Sequence, residues 1–116
     1  MRIEGYLPEV IRLHDARGER PPNAVGVGEF WYEPEIWSLP LSPASRVLYA
    51  ALCAFLGHGE INRKDLRNAL KDCSDAEIVG SFEDLVRYNL LSPTPKTIPG
   101  GTVVGYGVRS IRDLEG

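Results

Sequence analysis

Between Leu41 and Leu91 the chain carries three helix signatures in succession, joined by links too short to let the helices lie far apart. The first opens at Ser42, a good N-cap because its hydroxyl can accept an orphan helix N–H. Pro43 follows at the first helical position, where a missing N–H costs nothing. Val47, Leu48, Ala51, Leu52, Phe55 and Leu56 recur at the spacing of one broad helical face, and Gly57 and Gly59 stop the helix. A second, short helix starts at Asn62, has Leu66, Ala69 and Leu70 on its buried side, and ends near Cys73. Ser74 and Glu77 form a capping-box pattern that opens a third helix, with Ile78, Val79, Phe82, Leu85 and Val86 as its inner stripe. Leu52, Phe55, Leu66, Phe82 and Leu85 are therefore expected in one shared core.

The flanks read as extended chain. Polar and apolar residues alternate from Val10 to Asp15, which favours a half-buried strand; Ala16 to Asn23 is a turn or loop, and Ala24 to Tyr32 returns to small and aromatic residues. These two extended pieces are expected to pair as a hairpin. Pro34 to Trp37 reads as one helical turn, with Trp31, Tyr32 and Trp37 as apolar cover for the core; the other use of such rings is stacking on bases. After Leu91 come Pro93, Pro95 and Pro99, then Gly100 and Gly101, then Thr102 to Val108, which reads as two strands joined at the Pro-Gly-Gly turn. Pro93 and Pro95 lack N–H groups on the same side of their strand, which suits a sheet edge facing solvent.

With 116 residues the chain has room for one core, and 43% apolar with 25% charged residues is ordinary globular composition. No apolar stretch reaches membrane-spanning length and the first residues lack a signal pattern, so the expected location is cytoplasmic. Cys53 and Cys73, without histidines at ligand spacing, read as buried thiols, not as a metal site or disulfide. His14 and His58 have no nucleophile or ligand partner at a recognisable spacing, and Gly26-Val27-Gly28 holds only part of a dinucleotide fingerprint. No catalytic residue, metal or cofactor is expected. The net charge of −3 argues against a general polyanion binder, so any surface for DNA must be local.

Helix, short helix, helix and hairpin in that order give an α+β chain of winged helix-turn-helix layout: a three-helix core, a C-terminal β-hairpin wing, and an N-terminal extended segment. The expected division is residues 1–37 packing on a winged-helix domain at 38–116. The run Trp31 to Gly57, with Leu41, Ser42, Pro43, Tyr49 and Leu52, resembles the opening of helix-turn-helix domains in bacterial and phage replication-initiation proteins, such as the N-terminal domain of the primosome protein DnaD. The likeness continues through Asn62 to Leu66 and through Leu85 to Leu91, about half of the chain. It implies DNA binding in replication or transcription regulation, with the third helix entering the major groove. Two departures stand out. Glu77 and Asp84 lie on the outward face of that helix beside Gly80, Ser81 and Arg87, and residues 1–30 have no counterpart in the family.

On this reading the DNA-binding candidates are Arg63, Lys64, Arg67 and Lys71 along the second helix, Ser81 and Arg87 on the third, and Lys96 and Arg109 on the wing. The same basic stripe is equally an ordinary solvated helix face. Gly80, mid-helix, is expected to permit a close approach by another helix or a partner. The competing reading keeps the fold and makes the chain a protein-interaction or self-association module. It uses the acidic third helix and the N-terminal strands, with homo-oligomers expected.

Overall fold

The computed structural model describes residues 7–27 and 30–111, leaving out the side chains of Val27, Lys96, Ile98 and Thr102. Strand β1 (Val10–Ala16) is followed by β2 (Val25–Val27), β3 (Phe30–Tyr32), a 3₁₀ turn (Pro34–Ser38) and helix α1 (Pro43–Phe55). Next come a 3₁₀ turn (Leu56–His58), β4 (Glu60–Asn62), α2 (Arg63–Ala69) and α3 (Asp75–Arg87). Strands β5 (Leu91–Pro93), β6 (Lys96–Ile98), β7 (Gly101–Val103) and β8 (Gly105–Arg109) complete the chain, an α+β fold of three helices and a mixed sheet.

Each helix begins where its cap chemistry places it. The Ser42 hydroxyl accepts from the Ser45 N–H at 3.2 Å, and Ser74 and Glu77 make a reciprocal capping box at 3.0 and 3.1 Å. Asn62 and Asp65 form a second box, which fixes the start of α2. That helix stops at Ala69, earlier than its sequence suggests, and Ala69 is exposed. α3 ends in a Schellman turn: Asn89 takes a left-handed φ of 61°, while the N–H groups of Leu90 and Asn89 donate to the carbonyls of Leu85 and Val86.

The main sheet has the order β4-β1-β8-β5, with β1 antiparallel to β4 and parallel to β8. The expected hairpin between β1 and residues 24–32 therefore does not form. β1 instead lies inside the main sheet, while β2 and β3 pair with each other as a separate hairpin. Ile11, opposite Ile61, and Leu13, opposite Tyr106, point into the core, and Arg12 and His14 point outward. β5 is an edge strand, as the prolines imply. Thr94 N–H donates to Gly105 and Leu90 C=O accepts from Arg109, so alternation turns the Pro93 nitrogen away from β8.

Helices α1 and α3 cover the sheet with Leu48, Tyr49, Leu52, Cys53, Ile78, Phe82 and Leu85, all buried, and Phe82 stacks on Tyr106 with ring centroids 5.5 Å apart. Leu66 from α2 joins them. Phe55, expected in this core, is only half-buried, and Val47 is exposed. The buried stripe of α1 is rotated toward Ser45, Tyr49 and Cys53, because β3 and α3 pack on that side of the helix. Gly105 is dictated by a neighbour: a Cβ there would stand 2.6 Å from the Thr94 carbonyl oxygen.

Candidate interaction surfaces

Two surfaces could carry a binding function: the outer side of α2 and α3, and the β2–β3 hairpin with the turn that follows it. On the first, the basic stripe is largely committed to the protein's own groups. Arg67 forks onto Asp75 with contacts of 3.0 and 2.6 Å, and its hydrogen bonds hold the Asp75 carboxyl below the usual carboxylate range. Arg63 is half-buried, with its Nε donating to the Leu7 carbonyl at 2.9 Å. Lys64 and Lys71 are exposed and have no partner among the described residues.

Helix α3 departs further from what a phosphate-facing helix needs. Ser81 is buried and its hydroxyl donates to the Glu77 carbonyl one turn back, so it does not stand on the outward face. Arg87 is exposed but paired with Asp84 at 3.1 Å, and Asp84 also accepts from the Ser45 hydroxyl, which ties it partly inward. The exposed or half-exposed positions of α3 are Asp75, Ala76, Glu77, Gly80, Glu83, Asp84, Val86 and Arg87, so four carboxylates stand there against one cation. Nothing lies within 4 Å of a Cβ built at Gly80, and the close approach expected there is absent among the described residues. Arg109 is half-exposed in β8, where its carbonyl accepts from the Tyr49 hydroxyl at 2.6 Å; the side chain of Lys96 falls outside the described atoms.

The hairpin surface has the opposite character. Register pairs Val25 with Tyr32 and Gly26 with Trp31, so Val25, Phe30 and Tyr32 share one face and Trp31 lies on the other. Trp37, from the following turn, meets Tyr32 edge-on at 6.0 Å and donates its indole N–H to the Tyr32 hydroxyl. Val25 is 46% exposed and Phe30 and Trp37 are each 44% exposed, which makes this face the main concentration of exposed large apolar groups among the described residues. Gly26 is required where it is: its φ is +156°, and a Cβ would lie 2.0 Å from the Phe30 carbonyl oxygen.

A buried cation seats this hairpin. The Arg17 side chain is 1% exposed; its guanidinium lies 3.6 Å over the Trp31 ring, forks onto Asp15 with contacts of 3.0 Å, and donates to the Trp31 carbonyl. Burial disfavours the Asp15 charge, but the Arg17 hydrogen bonds and charge outweigh it and hold the carboxyl below its ordinary value. Glu33, also buried, accepts from the Ser110 hydroxyl at 2.7 Å and the Ile111 N–H at 2.9 Å, which ties the end of the hairpin to the far end of the chain. Nothing in local periodicity marks Arg17 or Glu33. The only sequence cue is the Asp15-x-Arg17 spacing across a strand end, close to an aromatic strand.

His14 is exposed, with its Nδ1 3.4 Å from the Thr94 hydroxyl, and His58 packs against Phe55. Cys53 is buried and its thiol is pushed up to about 12 by burial, while Cys73 is half-buried. Among the described residues no group of His, Cys, Asp or Glu could hold a metal ion, and no helix is long and apolar enough to cross a membrane. Comparison of the chain with protein-family models, with curated proteins and with solved structures gave no match.

Proposed function

We propose that this chain is a non-catalytic protein-interaction module of winged helix-turn-helix type that associates with its own copies through the β2–β3 hairpin. The order α1, β4, α2, α3, β5, hairpin, β8 supports the winged-helix reading, with β1 added between the first and last strands of that set. The observation that carries the function is the apolar face of Val25, Phe30, Tyr32 and Trp37, held outward by a buried Arg17 anchor on its reverse side. A two-stranded hairpin is marginal alone, and apolar groups gathered on its outer side are a feature of contact surfaces. A two-fold pairing would bury the same patch on both copies.

DNA binding is the second reading, favoured by the exposed Lys64 and Lys71. It is the weaker one, because Glu77 and Glu83 stand on the face of α3 that would approach phosphates and Arg67 and Arg87 already hold carboxylates. Sedimentation velocity across a concentration series separates the two. The wild-type chain is expected to associate and Phe30→Glu to remain monomeric, with neither binding a generic duplex at low salt. A monomeric wild type that binds duplex DNA with steep salt dependence would replace the first reading by the second. Deletion of residues 1–32 is unsuitable as a test because it removes β1 from the main sheet.

A further inference from the structure

An open groove of about 560 Å³ that shares no lining residue with the hairpin lies where the outer side of β1 and β4 meets α2, lined by Glu9, Glu60, Asn62, Arg63, Lys64 and Asn68, together with Arg67, whose guanidinium is held by Asp75. The volume falls in the range of ligand clefts. Its polar groups are unequal in availability. Glu60 is neutralised by Arg12 at 2.7 Å, and Arg63 is fixed by its Nε bond to Leu7, which leaves the outer guanidinium nitrogens to the groove. The side chains of Lys64, Asn68 and Glu9 have no partner among the described residues, while the Glu9 carbonyl accepts from the Arg63 N–H at 2.9 Å. Asn62 uses its carbonyl oxygen to cap α2, so its NH₂ group is the part left over.

We infer that this groove docks an extended peptide segment of a partner protein that carries a carboxylate side chain. Lys64 and the Arg63 guanidinium receive the carboxylate by charge-assisted hydrogen bonds, while the amides of Asn62 and Asn68 match the donors and acceptors of a peptide backbone. The remaining Glu9 accepts from backbone N–H groups. This mixture of charges is what favours a peptide over a nucleic acid. A duplex brings one negative charge per roughly 1.7 Å of axis and would press phosphates on Glu9, whereas a peptide brings isolated carboxylates on a neutral chain.

The test uses the whole chain carrying Phe30→Glu, so that self-association does not interfere and failure of either idea is seen separately. Amide and side-chain NH₂ resonances are followed while three probes are added in turn: a short acetylated, amidated peptide of alternating glutamate and threonine, its glutamine counterpart, and a short DNA duplex. The glutamate peptide is expected to shift Asn62, Lys64 and Asn68, and Lys64→Gln to weaken it roughly tenfold, as loss of one charge-assisted bond implies. Asn68→Ala, at an exposed position, is expected to weaken both peptides alike. Equal binding of the glutamine peptide, tighter binding of the duplex at the same resonances, or no shift at these residues with any probe would each overturn the inference.

Discussion

Replacing Arg17 with methionine tests whether the hairpin is anchored from behind as described. The change keeps most of the side chain's length and removes the fork onto Asp15, the bond to the Trp31 carbonyl and the cation over the Trp31 ring. Asp15 is 43% exposed, so water re-solvates it and that part of the loss is about 1 kcal/mol. The Trp31 carbonyl loses a buried donor, about 1–3 kcal/mol, and a desolvated cation–π contact is worth about 2 kcal/mol. Set against these are relief from holding a cation out of water and a methionine–indole contact of about 1 kcal/mol. The quantified terms leave a loss of about 3–5 kcal/mol, which the relief from cation burial, at about 1–2 kcal/mol, brings to about 2–3 kcal/mol. In urea, where a domain of this size has a slope of about 1.5 kcal/mol/M, the unfolding midpoint falls by roughly 1.3–2 M. A midpoint that is unchanged or raised would refute the anchoring role, because the cation would then be a net burden on the fold.

Other consequences can be measured separately. Gly80→Ala is expected to raise stability by about 1 kcal/mol in thermal or urea unfolding, because an added Cβ meets nothing within 4 Å and alanine favours a helix interior. The Asp15–Arg17 pair makes stability pH-dependent. Since the Asp15 carboxyl is depressed, its contribution is fully present above the unfolded value near pH 3.9 and is lost as pH falls through the lower folded value. Asp15→Asn should flatten that acid limb of the stability curve. In the native protein, thiol reagents at pH 8 are expected to label Cys73 and to spare Cys53, whose buried thiol stays protonated with a pKa of about 12; equal labelling would mean that the α1 core opens readily.

The helices were legible because their starts are chemical and local: Ser42-Pro43 and the Ser74/Glu77 box each act within one turn. The proline-marked edge strand was legible for the same reason. Strand β4 was not, since three residues between Gly59 and α2 are too few to show a period. The place of β1 depends on pairing with residues some fifty and ninety positions later, which no local pattern encodes. The α1 stripe was read a little out of phase because apolar residues flank it on both sides, and only packing decides whether Val47 or Tyr49 turns inward. For the candidate surfaces, charge could be counted from the sequence but partnership could not. Arg67 looked free until Asp75 was placed beside it, and Ser81 looked exposed until α3 was docked. The apolar hairpin face stayed hidden because its aromatic residues look like core in one dimension.

The most direct test of association through that face is a comparison of amide and indole resonances at low and high protein concentration. The expected result is that concentration-dependent shifts gather on Val25, Phe30, Tyr32 and the Trp37 indole N–H, and vanish in Phe30→Glu. Shifts gathered instead on α2 and α3, or a spectrum that does not change with concentration, would contradict it.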